Sequence, residues 1–140
     1  MSVIKELYVR AIVHATESPE KVREVVNLLA PDAKIKEIYT TGYHGNEIIV
    51  LETRSVNDFI GIEEMLKRDG VFEEVLKNPE IYIEEGTIHL KIDKQMLYAE
   101  KKFVIGGTDA ISVHLQIGSK SETREKTVNR IKKFMRGEEE

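Results

Sequence analysis

Three short polar clusters and one helical stripe hold the residues of this chain that could do chemistry. Thr16, Glu17, Ser18 and Lys21 come first. A helix starting at Pro19, capped by the Ser18 hydroxyl, would set free N–H groups and an ammonium in one turn, which suits an anion such as phosphate. Glu17 and Glu20 compete for the same positive end of the helix, so plain helix capping is the rival account. Tyr43-His44-Gly45-Asn46 places a phenol ring, an imidazole and an amide on a turn. Such rings stack on unpaired bases, and an Asn can reach a base edge or a 2′-hydroxyl. The rival is a turn whose Gly and Asn serve the backbone alone. Asp93-Lys94-Gln95 either brings Lys94 to a phosphate or is an Asp N-cap with solvated neighbours. Lys126, Arg130 and Lys133, spaced by four and three, make a basic helical stripe that would follow a nucleic-acid backbone or simply face water.

Other chemistries find little support. The histidines are His14, His44, His89 and His114, and no pair has the spacing of a helical metal site. There is no nucleophile elbow, no phosphate-binding P-loop and no dinucleotide fingerprint. His14 with Glu17, or His44 with Asp93, would be the acid–base pairs of a hydrolase or nuclease; structural or surface histidines account for them as well. The expectation is a chain without catalytic residues, metal or cofactor.

The elements that must position these groups follow from periodicity. Tyr8–His14 reads as a strand, and Val22, Val25, Val26 and Leu29 form one apolar stripe on the helix after it. Residues 34–41 and 47–53 form an antiparallel hairpin around the Gly42–Asn46 turn. Residues 56–78 are helical in two pieces broken near Asp69-Gly70, burying Phe59, Ile62, Met65 and Leu66, then Val71, Phe72, Val75 and Leu76. A second hairpin joins 81–84 to 87–92 through Glu85-Gly86. Asp93 caps a short helix, 102–105 is a short strand, and 111–117 alternates Ile111, Val113, Leu115 and Ile117 inward against Ser112, His114 and Gln116. A last helix starts near Ser121 and buries Val128, Ile131, and Phe134 or Met135. Hairpins with interspersed helices predict an α+β single domain over residues 1–137, mainly an antiparallel sheet with helices packed on one face. Residues 138–140 are expected to be an acidic disordered tail.

Composition narrows the setting. The 140 residues are 41% hydrophobic and 33% charged, with no cysteine, so disulfides and thiolate metal sites are excluded and a cytoplasmic protein is expected. Two glutamines against abundant Lys and Glu point to a thermophile. No apolar run approaches the roughly 18 residues of a membrane span. The net charge of −4 is uneven: Lys120–Gly137 holds seven basic residues against Glu122 and Glu125, the last three residues are glutamates, and the body carries 14 basic and 20 acidic residues. An acidic body argues against indiscriminate nucleic-acid binding, while a local basic face is compatible with it.

Residues 9–22 (Val-Arg-Ala-Ile-Val-His-Ala-Thr-Glu-Ser-Pro-Glu-Lys-Val), 42–51 (Gly-Tyr-His-Gly-Asn-Glu-Ile-Ile-Val-Leu), 91–95 and 109–117 resemble an archaeal family of small RNA-binding proteins. That family is described as a predicted exosome subunit with a double-stranded-RNA-binding-like or ribosomal-protein-L5-like fold. Its pattern has Pro after Gly-Asn, where Glu47 stands here. The resemblance implies a non-enzymatic binder of structured RNA, working by phosphate, sugar and shape, and an accessory subunit of an RNA-processing or degrading complex. Its motifs fall on His14, Thr16, Glu17 and Lys21, on Tyr43, His44, Gly45 and Asn46, and on Asp93, Lys94 and Gln95. Lys21, Lys94 and the stripe Lys126, Arg130 and Lys133 are then expected to touch phosphates, and Tyr43, His44 and Asn46 sugar or base, with Thr16, Glu17 and Gln95 beside them. The alternative is a protein–protein adaptor or homodimeric module that uses a sheet edge or open face.

Overall fold

A computed structural model describes residues 2–31, 33–42, 45–56 and 59–137. Tyr43, His44 and the acidic tail at 138–140 lie outside the described residues. The strands are β1 (Glu6–Val13), β2 (Lys36–Thr41), β3 (Glu47–Ser55), β4 (Ile83–Glu84), β5 (Thr87–Asp93) and β6 (Ala110–Gln116). The helices are α1 (Pro19–Leu29), α2 (Ile60–Arg68), α3 (Val71–Lys77), α4 (Pro79–Tyr82), α5 (Lys94–Glu100) and α6 (Arg124–Met135). The strands form one sheet in the order β2-β3-β1-β6-β5-β4, and every neighbouring pair is antiparallel. The helices pack against it, which is the expected α+β arrangement.

One sheet face is the core. Leu7, Val9, Ala11 and Val13 of β1 are buried, as are Ile111, Val113 and Leu115 of β6 and Ile88, Leu90 and Ile92 of β5. The α1 stripe Val22, Val25, Val26 and Leu29 lies on them, with Phe59, Ile62, Leu66, Phe72 and Ile131 closing the rest. Burying each such side chain is worth about 1.5–3 kcal/mol. A cap is worth about 1 kcal/mol, so the stripe decides that α1 docks and Ser18 decides where it starts. The glycine of the β4–β5 turn is irreplaceable for two reasons. Gly86 has φ +73°, and a Cβ there would stand 2.2 Å from the Ser119 carbonyl oxygen.

Three boundaries differ from expectation. Residues 102–105 form only the bridge Ile92↔Ile105, because Gly106-Gly107 turns the chain away after two hydrogen bonds to β5. Residues 79–82 are a helical turn opened by Pro79, so β4 starts at Ile83. The last helix is capped by Thr123, whose hydroxyl accepts from the Lys126 N–H, and starts at Arg124. The long helical region breaks at Gly70, φ +75°, close to the predicted place. Among the described residues no helix is long and apolar enough to cross a membrane.

Antiparallel order decides which loops meet. The register Val13↔Ile49, Thr41↔Glu47 and Asp93↔Ala110 brings four connections to one end of the sheet. They are the β1–α1 corner, the β2–β3 turn, the β5–α5 junction and the loop into β6.

Candidate nucleic-acid interface at the sheet end

The β1–α1 corner is a tight turn. The Glu17 N–H donates to the His14 carbonyl at 2.9 Å, and the Glu17 side chain bends back to accept from the His14 N–H at 2.9 Å. Ser18 caps α1 by accepting from the Lys21 N–H. Across from it, the Asp93 carboxylate caps α5 by accepting from the Met96 N–H at 2.9 Å. Gly107, at φ +96°, lets the incoming loop lie against Asp93, where a Cβ would stand 2.7 Å from its oxygen. That loop delivers Asp109.

Lys94 joins these pieces. Only 2% exposed, it runs inward from the first position of α5. Its ammonium donates to the Ile12 carbonyl at 2.7 Å, to both oxygens of Glu17 at 3.0 and 3.1 Å, and to Asp109 at 3.0 Å. The His14 Nε2 lies 3.4 Å from the other Asp109 oxygen and 4.0 Å from Glu17. A buried ammonium needs such partners, since an isolated charge there would be prohibitively costly. Lys94 was expected to reach a phosphate. Its charge is instead spent inside the fold, tying β1, α1, α5 and β6 together.

His14, Glu17 and Asp109 also have the ligand types of a metal site, with atoms within 4.8 Å of one another. The Lys94 ammonium already stands against both carboxylates, so a dication there would meet a like charge at close range. The donor set fits an ion-pair cluster better than a metal.

Above the cluster, a cleft of about 330 Å³ is lined by Thr16, Ser18, Lys21, Gln95 and Tyr98. Thr16, Lys21 and Gln95 are exposed, and the Lys21 ammonium lies 5.6 Å from the Tyr98 ring centre. The first and third sequence clusters therefore share one cleft. Exposed Asn46 sits at the same sheet end, where its carbonyl accepts from the Gly42 N–H. The α6 stripe lies elsewhere, because α6 packs on α3, α4 and β4 while α1 packs on α5, β1 and β3. Lys126 and Lys133 are exposed, and the Arg130 guanidinium donates to Glu122 at 2.6 Å.

Two sets of residues escaped sequence reading. Asp109 and Tyr98 enter the site through α5 and its following loop; the αL residue Lys101 and the Gly-Gly turn were the available signals. The open face of the sheet carries Tyr8, Arg54, His89 and His114 side by side, which only strand register reveals.

Residues 6–117 match the model of a family described as RNA binding. An RNA-binding protein of Pyrococcus abyssi is 29% identical over 94% of this chain and 93% of its own length. An uncharacterised protein of Methanocaldococcus jannaschii is 26% identical over 78% of this chain and 81% of its own. A DUF54 protein from Methanothermobacter thermautotrophicus superposes with a TM-score of 0.77 at 29% identity, covering 94% of this chain and 98% of that one. The family model spans all six strands and leaves out only α6 and the termini, and the protein belongs to this archaeal RNA-binding family.

Proposed function

We propose that the sheet end takes the sugar–phosphate backbone of structured RNA, by charge and shape rather than by a base code. The observation that carries this reading is the burial of Lys94 against Glu17 and Asp109. Two carboxylates beside a helix N-terminus would repel phosphate. Lys94 holds both carboxylates and cancels one of their two charges, and the cleft adds the Lys21 ammonium, the Thr16 hydroxyl, the Gln95 amide and the positive end of α1. Lys21 supplies the charge, Thr16 and Gln95 supply donors, and Glu17 and Lys94 hold the shape. Asn46, with Tyr43 and His44 just before it in the sequence, extends the contact to sugar or base. The α6 stripe of Lys126, Arg130 and Lys133 touches a second stretch of backbone on a longer RNA.

No catalytic step is assigned, because Glu17 and Asp109 are engaged by Lys94 and His14 is tied to Asp109. A binder of this kind serves as an accessory subunit of an RNA-processing complex such as the exosome, and co-purification from a native extract tests that membership. Edge strand β2 favours a second reading, self-association, since its outer ladder is open among the described residues and Tyr39 is 60% exposed. Concentration-dependent sedimentation tests it. For the main reading, a labelled RNA hairpin is titrated at two salt concentrations. Binding weakens with salt, and Lys21→Ala lowers it further. Absence of hairpin binding at low salt overturns the proposal.

A further inference from the structure

The open sheet face is organised in transverse rows. One row runs Arg54, Tyr8, His114, His89 across β3, β1, β6 and β5. The His89 and His114 ring centres are 4.4 Å apart and steeply tilted, and Tyr8 lies 5.3 Å from His114. Arg54, paired with Glu6 at 2.7 Å, lies over the Tyr8 ring at 4.7 Å. The Tyr8 hydroxyl donates to Glu52, which anchors the ring from one edge. Rings and a guanidinium plane in one line are the surface on which unpaired bases stack.

The rows on either side differ in charge. About 7 Å along the strands toward the sheet end lies a row with Lys36, Arg10 and Lys91, against Glu52. All three cations are exposed, and the Lys91 ammonium donates to Ser112 at 2.6 Å. On the opposite side, a groove of about 400 Å³ opens beside the rings, lined by Glu6, Glu84, Glu85 and Gln116, with Lys120 among them. Cations outnumber carboxylates on one flank and carboxylates outnumber cations on the other, which gives a bound strand a direction. Phosphates belong over Arg10 and Lys91. Bases belong over the rings, with exocyclic amino groups toward the carboxylates, which accept hydrogen bonds and repel phosphate.

We infer that this face is a second RNA surface, separate from the sheet-end cleft, which stacks an unpaired strand on Tyr8, His114 and His89 and favours bases with an amino group. A second copy of this chain fits the face less well, since covering it would take the exposed Arg10, Lys36 and Lys91 out of water, whereas an RNA strand leaves them on phosphates.

The test titrates the full chain with short unstructured cytidine, adenosine and uridine strands and, in parallel, with the hairpin. Cytidine and adenosine strands bind more tightly than uridine. Tyr8→Leu lowers single-strand affinity about tenfold, Tyr8→Phe retains it, and hairpin affinity is unchanged by either. Should Tyr8→Leu impair folding, the exposed pair Arg10→Gln and Lys91→Gln carries the test, reducing the salt slope for single strands by about 1.4. Equal loss in Tyr8→Phe and Tyr8→Leu, or an unchanged salt slope in the pair, overturns the inference. Equal binding of uridine strands overturns the base preference. Variants that alter sedimentation but leave RNA affinity intact make the face a protein contact instead, and the inference falls. Hairpin binding without single-strand binding removes this surface and leaves the cleft, while the reverse removes the cleft and leaves this surface.

Discussion

The end of the sheet and its open face hold charge in opposite ways. At the end, Lys94 is buried among Ile12, Glu17 and Asp109, with each of its donors directed inward. On the face, Arg10, Lys91 and Lys36 stay exposed beside a row of rings. Burial makes an ion cluster rigid and specific, but it uses the charge up. Exposure leaves the charge available at the cost of precision. In the function proposed, the cleft takes its shape from Lys94 and its attraction for phosphate from Lys21, two tasks given to two lysines.

The largest test of that division is Lys94→Ala. It leaves two carboxylates and a carbonyl without their common partner, and breaking a buried ion pair costs about 3 kcal/mol. Urea denaturation reads the loss directly. Lys94→Met keeps the volume and should lose nearly as much; a Met variant as stable as the parent would mean packing, not charge, holds the cluster. Lys21→Ala tests the other lysine. Stability stays unchanged, hairpin affinity at low salt falls about fivefold and the salt slope drops by about one. A fall in stability with no change in RNA affinity would reverse the two roles.

Smaller effects sharpen the picture. Lys126→Gln with Lys133→Gln weakens a long hairpin about two- to threefold and a short one hardly at all, since α6 sits apart from the cleft. Equal effects on both would place the stripe in the same contact as Lys21. The smallest effect concerns the face. Burial first, then the positive neighbours His89, Lys91 and Arg54, lower the His114 pKa below its ordinary value. The unfolded chain then binds the proton more readily than the folded one, so stability declines as the pH falls below about 6.5. His114→Gln flattens that decline, which urea midpoints at neutral and mildly acidic pH will show.

Much of this architecture is legible in the sequence. The four α1 stripe residues and the inward set of β6 are all buried as their spacing predicts, since a period of 3.6 or 2 admits one buried face. The cap residues Ser18 and Asp93 act as their types suggest. Less legible is anything that depends on a distant partner. Lys94 looks like a surface lysine beside a cap, and nothing nearby in the chain announces that Glu17 and Asp109 will enclose it. The predicted strand at 102–105 had suitable residues, but Gly106-Gly107 limited it to a bridge.

The chain by itself determined its elements, its buried faces and the corners where polar residues collect, because local backbone preference and periodic burial are short-range properties. Only the tertiary structure decided which corners meet. Antiparallel order put the β1–α1 corner, the β2–β3 turn and the β5–α5 junction at one end. Cross-strand register lined up Tyr8, His114 and His89 on three adjacent strands, although Tyr8 and His114 stand 106 residues apart in the sequence. Pairing of that kind is settled by the packing of the whole core, and no local pattern encodes it.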